Sequence, residues 1–138
     1  MIDRYPDWEQ RLADYISPLL NDARFVWGES DCALYTADAI KAMTGHDIAA
    51  DFRDKYSTAM GSARALKAYG GGDLKSTFDM LLPERPVSMA RRGDAVMHDG
   101  AVGVCMGAFA LFMLLPDEGD GLERIDRSEW SHAWSVGE

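Results

Sequence analysis

Cysteine is scarce in this sequence: the 138 residues include only two, Cys32 and Cys105. Two thiols cannot build a disulfide framework, and neither stands at metal-ligand spacing. They allow one disulfide at most; the expectation is a reduced chain with no cofactor and no metal. Excess positive charge is also missing, since 14 basic residues face 23 acidic ones for a formal charge of −9. That balance argues against a nucleic-acid backbone as partner. Nor is there a long hydrophobic run. The longest, residues 101–115, contains two glycines and is too short to span a bilayer, so no membrane insertion is expected. The first eight residues lack the basic and apolar regions of a signal peptide, so synthesis in a cytoplasm without a signal is expected. Repeats, low-complexity tracts and linkers are absent, which leaves one domain over residues 1–138.

What is present divides into a helical first half and a strand-rich second half. Pro6 opens a helix carrying Trp8, Leu12, Tyr15, Ile16 and Leu19 at helical spacing, with a kink or restart at Pro18 and an end near Asn21. An extended aromatic segment, Phe25 to Trp27, leads into Gly28. Ser30 or Asp31 then caps a small, apolar helix running to about Met43 and closed by Gly45. Residues 47–56 read as a short helix or a loop with turns. Ser57 or Thr58 caps a helix through Ala68, and a further helix runs from Asp73 to Leu82. Residues 84–92 read as a surface connection.

From Gly93 the pattern changes to period two. Strands are expected at 95–98, 101–106, 108–114, 122–125 and 132–136, with Asp99 and Gly100 forming a two-residue type I′ hairpin. The loop at 116–121 is acidic but lacks the alternating ligands of a calcium loop, so it reads as a turn. Helices first and an antiparallel meander afterwards make an α+β plan, with the helices packed on a small sheet.

Cys32 stands at the first turn of the central helix, where free amides and the positive dipole end favour a thiolate. Phe25, Trp27, Gly28, Asp31 and Cys32, followed by Arg92-Gly93-Asp94-Ala95-Val96 and Val102-Gly103-Val104-Cys105-Met106-Gly107, resemble the NlpC/P60 cell-wall peptidases. The closer likeness is to a phage-borne branch of that papain-like superfamily found among tail genes. The resemblance implies a papain-like NlpC/P60-type fold with Cys32 as nucleophile, cleaving amide bonds of peptidoglycan stem peptides through an acyl-thioester. A histidine at the start of the second motif strand would be the base. That position is Ala101 in this chain, and the third strand offers no polar residue to complete a triad.

His98 is the first candidate to replace the missing base. Across a two-residue hairpin it faces Ala101, with β-carbons about 5 Å apart. His132, within Trp130-Ser131-His132-Ala133-Trp134, is a second candidate, as orienter or with no role. His46 reads as a loop residue and Asp31 as a helix cap. Tyr35, on nearly the same helical face as Cys32, reads either as a hydrogen-bond donor near the thiol or as core. Cys105 alternates onto the face of Ala101 and Gly103, which is expected to pack against the central helix.

Three functions follow. The first is a phage tail-associated cysteine peptidase or amidase. The second is a catalytically degenerate structural or interaction component of a tail tip, with tail-tip proteins as partners and a virion tail as its place. The third is a thiol acyltransferase on the same scaffold.

Overall fold

The computed structural model describes residues 2–137. Helix α1, Trp8–Ile16, buries Leu12 and Ile16 from its apolar stripe, and a single turn at Ser17 and Pro18 separates it from α2, Leu19–Asp22. Residues 23–26 are extended but pair with no strand, so the aromatic segment is a linker rather than part of the sheet. It leads into the central helix α3, Cys32–Thr44, eight of whose thirteen residues are buried. Gly45, at φ +79°, closes α3 in the left-handed conformation that ends helices. Helices α4, Ala59–Tyr69, and α5, Leu74–Leu81, are capped by the side chains of Thr58 and Asp73. Residues 47–54 between α3 and α4 are mostly turns rather than a helix. Among the described residues no helix is long and apolar enough to cross a membrane.

The second half is a six-stranded antiparallel sheet made of β1 (Glu84–Arg85), β2 (Ala95–His98), β3 (Ala101–Cys105), β4 (Phe109–Met113), β5 (Leu122–Asp126) and β6 (His132–Trp134). Its order is β1-β6-β2-β3-β4-β5. Two expectations change here. Residues 84–85 are an edge strand rather than surface connection, with Glu84 opposite Trp134 and Arg85 opposite Ala133. The last strand then inserts between β1 and β2, so only β2 to β5 forms a meander. The hairpin between β2 and β3 is as expected: His98 pairs with Ala101, and Asp99 and Gly100 both have positive φ, as a type I′ turn demands.

Both faces of the sheet are covered. Ala95, Met97, Val102, Val104, Leu111, Met113 and Trp134 face the helices and pack with Tyr35, Ala39, Ile40 and Met43 of α3. Val96, Cys105, Ala110, Phe112 and Ala133 face the other way, under Ala90 and Trp130 from the two connecting segments. Burying each large apolar side chain contributes roughly 1.5–3 kcal/mol, so this second cluster is a real part of the core. It also corrects the assignment of faces. Ala101, Gly103 and Cys105 do share a face, but it is the one turned away from α3. Gly103 is glycine because a β-carbon there would come within 2.8 Å of the Phe112 ring and 2.6 Å of the Leu111 carbonyl.

Candidate active site

The site is built outward from Asp31. The backbone turns at residues 27–30, where Glu29 and Ser30 both donate to the Val26 carbonyl. Gly28 takes φ +82°, and a β-carbon on it would collide with the Tyr56 carbonyl, so glycine is required on both counts. Asp31 is 1% exposed and hydrogen-bonded through both carboxylate oxygens. One oxygen accepts from the Leu34 N–H at 3.0 Å, capping α3. The other accepts from the Gly28 N–H at 3.1 Å and from the Tyr56 hydroxyl. Asp31 therefore ties the turn, the helix start and the segment before α4 into one unit.

This arrangement works against a thiolate at Cys32. The positive end of α3 is already occupied by the Asp31 carboxylate, whose charge opposes a second anion one residue on. Cys32 keeps some solvent contact, but its sulfur is closely surrounded. Burial is the largest effect and pushes the thiol up to about 11, against a smaller stabilisation from the backbone of Val102, Ala33 and Cys32 itself. At neutral pH the neutral thiol is therefore the favoured form. The apolar pocket between α3, α4 and α5 is lined by Ala33, Leu34 and Ala37, and Cys32 is not among its lining residues.

Neither candidate histidine joins the thiol. His98 belongs to the outer face of the sheet: its ring lies against Phe112, and Nδ1 is 2.9 Å from the Glu129 carbonyl. Its Nε2 is 3.6 Å from the exposed Asp99 carboxylate. The sheet stands between His98 and α3, and the same holds for Ala101. His132 is on the helix side, in a row with Met97 and Val102. It is two strands from Val102, whose backbone meets Cys32, a separation of about 10 Å at ordinary strand spacing. Its Nδ1 is 3.3 Å from Glu84, and its ring packs beside Trp134. Tyr35 is core. Its hydroxyl donates to the Leu111 carbonyl at 3.1 Å, and its ring stacks on Tyr15.

Two residues matter more than their sequence context indicates. Tyr56 completes the Asp31 cluster, and nothing in its local pattern signals this. Asp94 is wholly buried and holds together distant parts of the chain. It accepts from Arg4 at 3.0 Å, from the Val136 N–H at 2.9 Å and from the Arg91 N–H at 3.0 Å, with Arg85 at 3.3 Å. Its signal, a Gly-Asp pair before a strand, is too common to distinguish such a hub from an ordinary turn. Among the described residues no group of three or more His, Cys, Asp or Glu could hold a metal ion.

No curated protein matches the chain. Residues 3–136 match the model of a family described as a domain of unknown function, DUF6950, and the chain belongs to that family.

Proposed function

We propose that this chain is a catalytically degenerate relative of the NlpC/P60 cell-wall peptidases, serving as a structural or interaction component of a phage tail tip. The observation that carries the reading is the placement of His98 behind the sheet, bound to the Glu129 carbonyl, while Cys32 sits in front of it. A thiol with an elevated pKa and no base within reach lacks both the nucleophile and the proton acceptor of acyl transfer. The helix cap, the glycine turn and the small-residue packing are what a scaffold needs. The tail setting, assembly into a virion and tail-tip partners rest on the resemblance of residues 25–32, 92–96 and 102–107 to phage tail proteins.

A second reading, a cysteine peptidase or amidase acting on peptidoglycan stem peptides, draws on one observation. His132 is on the same side of the sheet as Cys32 and is paired with Glu84, as a base with an orienting carboxylate would be. Digestion of purified muropeptides separates the two. The first reading predicts no new peptide termini with the wild-type chain. Cleavage that disappears in Cys32→Ala and in His132→Ala overturns it and establishes the second.

A further inference from the structure

One end of the sheet gathers positive charge on a chain that is otherwise acidic. Asp94 lies at the start of β2 with Arg4, Arg85 and the backbone of Arg91 around it. Arg4, Trp8, Glu9, Arg91 and Arg92 line an open cleft of about 260 Å³ at this end. The Arg4 guanidinium lies 4.2 Å above the Trp8 ring, and each of its three nitrogens donates to a partner, the Val136 and Arg92 carbonyls and Asp94. Arg91 and Arg92 are exposed; Arg91 donates to the Gly137 carbonyl at 3.2 Å, and among the described residues neither makes an ion pair with a carboxylate. The cleft therefore combines an aromatic floor with two exposed guanidinium groups against the single carboxylate of Glu9, an excess of positive charge that suits paired carboxylates.

The opposite end of the same strands carries the complement. The connection between β4 and β5 leaves the sheet at Met113 and returns at Leu122, at the end where His98 turns into Ala101. It exposes Leu115, Asp117, Glu118 and Asp120; Glu118 accepts from the Leu115 N–H at 3.0 Å, Asp120 lies 3.9 Å from the exposed Arg24, and the loop keeps a net negative charge. An apolar tip flanked by carboxylates thus projects from one end, and an aromatic cleft flanked by guanidinium groups opens at the other. Two complementary patches at opposite ends of one chain cannot meet within it. Between copies they make a head-to-tail contact, which propagates into a ring or a filament.

We propose that the Arg91–Arg92 cleft receives the acidic 115–120 loop of a second copy, so that the chain self-associates head to tail. This extends the interaction role proposed above but stands on separate residues: Cys32 chemistry tests that role, and charge reversal at the two ends tests this contact. Sedimentation of the wild-type chain should show a mass that rises with concentration, about twofold or more above the monomer at millimolar protein, and that falls back as salt is added. Arg91→Glu/Arg92→Glu and Asp117→Lys/Asp120→Lys should each be monomeric, and an equimolar mixture of the two should associate again. Arg64→Glu/Lys67→Glu, which changes net charge equally on exposed positions of α4, should associate like wild type. A monomeric wild type at all concentrations overturns the proposal, whatever other acidic molecule the cleft then captures. So does association that survives both reversals, or a mixture that stays monomeric.

Discussion

At the scale of single residues, the decisive pair is Asp31 and Cys32. Both stand at the positive end of one helix, and that end can satisfy only one anion well. Asp31 takes it, with three donors on its carboxylate, and Cys32 is left as a buried thiol. Asp31→Ala orphans the Gly28 and Leu34 amides and the Tyr56 hydroxyl. The expected cost is about 2–4 kcal/mol in a urea titration, since a lost cap and unpaired buried donors add. Asp31→Asn keeps one acceptor oxygen and should lose less. An Asp31→Ala protein as stable as wild type would show that Tyr56 and Gly28 find water instead.

At the scale of elements, what can reach Cys32 depends on which face of β2 and β3 meets α3. Alternation in residues 101–105 correctly groups Ala101, Gly103 and Cys105, because side-chain direction in a strand has period two. It does not say which group faces the helices. Here both faces are buried, one by α3 and the other by Ala90 and Trp130, so the usual polar and apolar contrast between faces is missing. Small residues on the 101–103–105 face make room for Phe112, not for a helix. Helix starts are legible for the opposite reason: a cap acts within three residues of itself. Local sequence therefore narrows the first two to Ser30 or Asp31 and to Ser57 or Thr58, of which Asp31 and Thr58 do the capping. Asp73, expected as the first residue of its helix, is the cap before it. Asp94 was not readable, because Arg4 and Val136 reach it from the two ends of the chain. Asp94→Asn should cost about 3–5 kcal/mol in the same titration, as removing one member of a buried ion pair leaves Arg4 uncompensated. A loss below about 1 kcal/mol would mean that Arg4 leaves the interior when its partner is neutral.

At the scale of the molecule, buried thiol and phenol groups set the alkaline limit of the fold. Burial raises Cys32 from 9.0 to about 11 and lifts Tyr15, Tyr35 and Tyr56 above their ordinary range. In the unfolded chain these groups ionise first, so between the two sets of values the folded state holds more protons and stability falls as pH rises. Their contribution is complete below about pH 9 and is lost progressively above it. The urea midpoint should therefore be lower at pH 10.5 than at pH 8, and the drop should be smaller in Cys32→Ala. The same thiol gives the most direct test of the central claim, that Cys32 is a packed residue without a base. Its alkylation by iodoacetamide, followed residue by residue with mass spectrometry, should speed up about tenfold per pH unit until above pH 10 and be unchanged in His98→Ala and His132→Ala. A rate that already levels off below about pH 8, and that drops when either histidine is removed, would contradict the account.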